Sequence, residues 1–123
     1  MSHVVEIKTE VRDPDALRAA CRRLGVPEPA LGTFQLYSAA ASGLGVRLPG
    51  WHYPIVFDVK RAEAHFDNFR GYWGKQQELD KLLQAYAIEK AKIEARRKGY
   101  NTTEQQLTDG SIKLTVQIEG GTA

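Results

Sequence analysis

A single cysteine, Cys21, stands among 123 residues, so no internal disulfide can form and no thiolate metal cluster can be built within one chain. A reducing compartment is the natural reading. Long apolar runs are missing too. None approaches the roughly 18–20 residues that span a bilayer, and the opening MSHVVEIKTE has no basic stretch leading into an apolar one, as a signal peptide would. A cytoplasmic protein without a membrane partner is expected. Charge of one sign is also scarce: 17 Lys and Arg face 15 Asp and Glu, for a net charge of +2. That balance is too even to imply nucleic acid. The chain has no glycine-rich phosphate loop, no metal-spaced histidine pair and no nucleophile elbow. Catalysis is therefore not the favoured reading, and no cofactor or metal is expected.

What remains, 42% hydrophobic and 26% charged residues without repeats, fits one domain around one core. The expected domain covers 1–119, with GGTA at 120–123 as a flexible tail and the small-residue stretch SAAASG at 38–43 as a second loose segment. HVVEIKTEV (3–11) alternates between apolar and polar residues, the period of a half-buried strand. DPDALRAACRRLG then carries Asp13 to cap a helix, Pro14 at its first position and Gly25 just past its end. Leu17, Ala20, Cys21 and Leu24 form one stripe on it. Cys21 in that stripe reads as a small buried hydrophobe rather than a nucleophile.

The middle predicts strands at 33–39, 45–48, 53–60 and 64–69, with Pro49-Gly50 as a tight turn and 61–64 closing a hairpin. A long helix is expected over 75–98, with Leu79, Leu82, Leu83, Tyr86 and Ile93 on one face and Gly99 as its stop. A closing hairpin follows, turning at Asp109-Gly110. The alternation of Ile112, Leu114, Val116 and Ile118 gives it an apolar side. The order β-α-β-(β)-β-β-α-β-β, with one apolar face per strand, predicts an α+β fold in two layers. A mainly antiparallel sheet should carry two helices on one face.

Three groups of residues carry candidate functions. Trp51 and Tyr53, two apart in an extended stretch, should share a face with His52 turned away, and Trp73 follows nearby. They read either as an aromatic lid that closes the core or as a recognition surface, since Trp and Tyr dominate interface hot spots. Ile88 and Lys90 break the pattern of the long helix. Ile88 reads as a lone exposed apolar residue and Lys90 as a stem that snorkels to water; together they read alternatively as part of a partner surface on the outer face of that helix. His52, Asp58, His65 and Asp67 could meet across the meander as a ligand or metal site, or serve only as turn and strand-face groups. The basic residues Arg18, Arg22, Arg23, Lys92, Arg96, Arg97 and Lys98 suit helix C-termini, whose dipole favours cations. Side by side they would make a weak RNA- or phosphate-binding patch.

The start MSHVVEIKTEVRDPDALRAACRRLG, the centre LPGWHYPIVFDV, the stretch QAYAIEKAKIEARRKGY and the close DGSIKLTVQIE together resemble the domain-of-unknown-function family numbered twelve fifty-seven. That family includes a hypothetical chloroplast reading frame, number thirty-five, and cyanobacterial relatives. The resemblance spans essentially the whole chain, although LPGWHYPIVFDV stands where the plastid form has a more polar strand. It implies a small accessory protein working beside an ATPase of the AAA+ type, and it carries no catalytic residues. The favoured expectation is a non-enzymatic interaction module that binds a protein partner. A small ligand- or metal-binding enzyme and a weak RNA binder are the alternatives.

Overall fold

The computed structural model describes residues 5–118. His3, the start of the first expected strand and the expected tail at 120–123 lie outside the described residues. The elements are β1 (Val5–Lys8), α1 (Pro14–Leu24), β2 (Ala30–Gln35), β3 (Ala40–Val46), β4 (Ile55–Asp58), β5 (Glu63–Phe66), α2 (Gln76–Arg97), β6 (Asn101–Gln106) and β7 (Ile112–Gln117). The fold is α+β in the expected order. No helix among the described residues is long and apolar enough to cross a membrane.

Local chemistry sets both helices. The Asp13 carboxylate accepts hydrogen bonds from the backbone N–H of Asp15 at 2.9 Å and Ala16 at 3.3 Å, and Pro14 loses nothing at a position whose N–H would be orphaned. Gly25, at φ +71°, turns the chain out of α1 while its N–H and that of Val26 bond back to Arg22 and Cys21. Ala16, Leu17, Ala20 and Cys21 are buried. On α2, Leu79, Leu82 and Tyr86 are buried, with Leu83 and Ile93 packed partly against the same core. The Tyr86 hydroxyl accepts the N–H groups of Arg12 and Asp13, both at 3.0 Å, so the entry to α1 is pinned to the middle of α2.

The main sheet has five strands in the order β1-β5-β4-β3-β2, every neighbouring pair antiparallel. Leu44 and Val46, Ile55 and Phe57, and Ala64 and Phe66 point to the helices and meet Leu17, Cys21, Leu79 and Leu82 in one core. Full burial contributes roughly 1.5–3 kcal/mol for each large aliphatic or aromatic side chain. On the edge strand β2, Leu31 is 82% exposed beside the buried Leu44.

The stretch expected to be loose, 38–43, instead belongs mostly to β3. Gln35 pairs with Ala40 and the Leu36 N–H reaches the Ala39 carbonyl at 2.8 Å, so only Tyr37 and Ser38 form the tip of the β2–β3 hairpin. Backbone pairing there needs no large side chains. The hairpin is sharply curled. Leu44–Val46 pair with β4, whereas Ala40–Gly43 pair with β2 alone. The bend falls at Gly43, which has φ +151° and lies so close to β4 that a Cβ would sit 2.3 Å from the Phe57 carbonyl oxygen. Beyond it Phe34 folds over Gly45 on the face away from the helices. A straight strand would carry the tip some 20 Å from the β3–β4 connection, at about 3.3 Å per residue. The curl instead returns Tyr37 to that connection, and both Val56 and Leu36 are buried outside the main core.

The last hairpin does not join this sheet. β6 and β7 form a separate two-stranded ribbon. It folds back along α2, where Glu104 takes charged hydrogen bonds from Arg23 and from Lys92 (2.8 Å). The turn is also one residue longer than expected. Thr108, Asp109 and Gly110 form it, with Gly110 at φ +89° and the Leu107 N–H bonded to the Ser111 carbonyl. The Asp109 carboxylate accepts from the N–H and hydroxyl of Ser111.

Candidate functional site

Trp51 and Trp73 do different jobs. The chain from Leu48 to Trp51 is a turn, closed by the Trp51 N–H to the Leu48 carbonyl at 3.1 Å, with Gly50 at φ +75°. It sends the Trp51 indole toward the core. Its ring meets Phe66 edge-on at a centroid distance of 5.7 Å and fills the space where a Cβ on Gly74 would be, 2.3 Å away. Its Nε1–H donates to the Lys75 carbonyl at 3.1 Å, just ahead of α2. Trp51 is thus a structural plug where α2 begins.

The expected sharing of a face by Trp51 and Tyr53, with His52 turned away, does not hold, because 51–54 is not extended strand. His52 and Tyr53 both lie against Trp73, at 5.5 Å (stacked) and 5.8 Å (edge-on). The His52 N–H also bonds to the Trp73 carbonyl at 2.7 Å. Phe69 at 4.8 Å and Tyr37 at 5.3 Å complete the ring of aromatics around Trp73. Tyr37 could not be assigned from sequence, because its place depends on the curl at Gly43.

The segment that delivers Trp73 is strained. Phe69, Arg70 and Gly71 have φ of 44°, 54° and 96°, three successive left-handed residues. Asn68 and Gly71 close the turn with a 2.9 Å hydrogen bond, and its centre has the sign pattern of a type I′ turn, which ordinarily takes Asn or Gly. Each non-glycine residue in that region costs of order 1–3 kcal/mol unless its surroundings impose it. Here the surroundings are visible. The Asp67 carboxylate accepts the Phe69 N–H at 3.2 Å, the Asn68 side chain donates to the Gly74 carbonyl at 3.3 Å, and the Trp73 N–H returns to Asn68 at 2.9 Å. The turn displays an exposed Arg70 and a Tyr72 that is 80% exposed, its ring 5.3 Å from Phe69. Sequence offered one signal for it, the FDNF…G pattern of turn-forming residues.

Beside Tyr72 lies a recess of about 260 Å³ bounded by Pro49, Gly50, Gly71, Gly74, Lys75 and Glu78. A larger apolar depression, about 650 Å³, runs between Thr9–Arg12 and the α2 residues Leu83, Tyr86, Ala87, Lys90 and Ala91. Size alone would favour it. Its polar side chains are already engaged, however: Thr9 with the Val11 N–H, Tyr86 with Arg12 and Asp13, and Lys90 with Asp13 and Glu94. Among the described residues, only Glu10 and Arg12 remain at its rim to orient a ligand.

The residues proposed for a ligand or metal site are not assembled into one. His52 stacks on Trp73. The Asp58 carboxylate accepts the Arg61 N–H at 3.1 Å and closes the β4–β5 turn. Asp67 is buried beneath the left-handed turn, and His65 lies 3.9 Å from Glu63 on β5. Among the described residues no group of three His, Cys, Asp or Glu could hold a metal ion. Cys21 is fully buried, and burial pushes its thiol up to about 11, which keeps it from forming the reactive thiolate.

Lys90 does not simply snorkel. Its ammonium sits between Asp13 at 3.1 Å and Glu94 at 2.9 Å, and these hydrogen bonds hold its pKa above the ordinary lysine value. For Asp13, burial alone would raise the pKa. The Lys90 bond and the Ala16 and Asp15 amides outweigh it, so the carboxyl lies below its usual range. Ile88 is half-buried rather than exposed. The basic patch is largely neutralised. Arg18 pairs with Asp15, Arg22 with Glu28, Arg23 with Glu89 and Glu104, Lys92 with Glu89 and Glu104, and Arg97 with Glu94. Only Arg96 and Lys98 of that set carry no ion pair among the described residues, too few for a phosphate-tracking surface.

Compared with protein families, with curated proteins and with solved structures, the chain matches none of them.

Proposed function

We propose that the protein is a non-enzymatic interaction module of the cytoplasm that holds a protein partner at the aromatic corner formed by Tyr37, Phe69, Tyr72 and Trp73. The observation that carries this reading is the left-handed turn at Phe69–Gly71. It costs stability, and what it delivers is an exposed tyrosine and an exposed arginine over a bed of packed rings. Trp51 and the outer face of α2 are left out, because Trp51 plugs the core, Ile88 is half-covered and Lys90 is paired. The sequence resemblance to a family of small accessory proteins agrees with this role, and an AAA+ ATPase is the partner class it suggests.

The test is affinity capture from the native host with the parent chain and Tyr72→Ala. Tyr72 is exposed and makes no hydrogen bond through its side chain among those described, so the variant should melt with the parent. A partner retained by the parent and lost by Tyr72→Ala supports the reading. An unchanged set of captured proteins overturns it.

A further inference from the structure

The charges around the corner differ from most of those along the helices and the ribbon, although Arg12, Lys60, Arg96, Lys98 and Lys113 also carry no ion pair among the described residues. Across the two helices and the ribbon, most Lys and Arg side chains sit in ion pairs. Arg47, which follows β3 just ahead of Pro49, Arg70 in the left-handed turn and Lys75 at the rim of the recess are all exposed. None of the three has an ion pair among the described residues. The acid at the recess, Glu78, lies 3.8 Å from Lys81 and is partly balanced by it. The other acid of the turn, Asp67, is buried with its carboxylate on the Phe69 N–H. The corner therefore presents uncompensated positive charge around exposed rings.

The recess suits one side chain. Its volume of about 260 Å³ is lined by Pro49, Gly50, Gly71, Tyr72 and Gly74 together with Lys75 and Glu78. It is too small for a folded partner's surface to fill in depth and has the size of one side chain from an extended segment. Tyr72 and Tyr37, 80% and 55% exposed, lie on either side of Trp73 and Phe69, so aromatic surface continues beyond the recess.

Building on the interaction reading above, we infer that the corner recognises an acidic peptide segment in which one aliphatic side chain is flanked by Asp and Glu. The aliphatic group enters the recess beside Tyr72, and the carboxylates pair with Arg70, Lys75 and Arg47. Desolvating the rings gives the attraction, and the cations select sign and steer encounter.

Fluorescence anisotropy with three short labelled peptides tests this: a leucine flanked by Asp and Glu, the same leucine flanked by Ser, and the same leucine flanked by Lys. The acidic peptide is expected to bind, to weaken on raising salt as exposed charges are screened, and to lose on the order of tenfold in affinity in Arg70→Glu/Lys75→Glu. Tyr72→Ala should abolish binding. Because these side chains are exposed and make no hydrogen bond or ion pair among those described, the variants keep the parent's melting temperature. Equal, salt-insensitive binding of the Ser-flanked peptide that still depends on Tyr72 overturns the acidic preference but leaves the interaction reading standing. The acidic preference is likewise overturned, and the interaction reading kept, if no peptide binds while Tyr72→Ala still loses its partner from host extract. Acidic-peptide binding that survives both variants places it elsewhere and overturns the inference. So does a single-stranded oligonucleotide that binds the corner in preference to the acidic peptide.

Discussion

Replacing Gly43 by Ala should be far more damaging than replacing a glycine whose surroundings are open. At φ +151° the added Cβ is in a region that is essentially reserved for glycine, and it would lie 2.3 Å from the Phe57 carbonyl oxygen and 2.9 Å from its carbon. Those atoms belong to a paired strand and cannot swing aside as a side-chain tip could. Backbone strain of about 1–3 kcal/mol adds to overpacking of about 1–3 kcal/mol, so a loss of roughly 2–6 kcal/mol is expected. For a chain of this size each kcal/mol lowers the melting temperature by about 3–5 °C, which gives a fall of roughly 6–30 °C. Gly50→Ala is the control: Gly50 has φ +75° but nothing within 4 Å of the added Cβ. Only its conformational cost of about 1 kcal/mol should appear. Thermal unfolding followed by circular dichroism measures both, and tryptophan emission reports whether Tyr37 leaves Trp73. Equal melting temperatures for the two variants would refute the close approach of β3 to Phe57, and with it the account of how the curl reaches the aromatic corner.

Other consequences are open to simpler measurements. Asp13→Ala removes both a helix cap and a partner of Lys90, and should cost about 1–2 kcal/mol in urea denaturation; Asp13→Asn, which keeps a capping oxygen, should cost less. Glu104 is held at about 2 by hydrogen bonds from Arg23 and then Lys92, below the usual carboxylate value. Its folded pKa is depressed, so its contribution is fully present above about pH 4.5 and declines as pH falls toward 2. The Glu104 side chain still meets solvent, 26% exposed, so screening reduces the effect. The denaturation midpoint should fall across that window, and Glu104→Gln should flatten the fall; an identical slope in the variant would remove the ion network from the explanation.

The fold was legible wherever one local rule sufficed. Asp13, Pro14 and Gly25 bounded α1, Gly99 bounded α2, and the alternation of β7 identified it with no tertiary information. Legibility ended where a residue's role depended on distant chain. The stretch 38–43 looked loose because small residues carry no periodic signal, yet pairing with β2 orders them. The ribbon's separation from the sheet was invisible, since an alternating strand reads the same in either place. At the site, the aromatic cluster was foreseen but its division was not. Trp51 faces inward because Leu48–Trp51 is a turn, and Tyr37 joins Trp73 because β3 bends at Gly43. The basic patch looked open in part because Arg22 and Arg23 meet acids from outside α1, namely Glu28, Glu89 and Glu104.

The ribbon is moored to the helices by Arg23, Lys92 and Glu104, whereas the sheet is held by a dry interior. Two parts of one chain thus answer to different solvents: added salt slackens the first, and urea is needed to dissolve the second. The ribbon's hold on the helices is therefore expected to respond to ionic strength before the body of the molecule does.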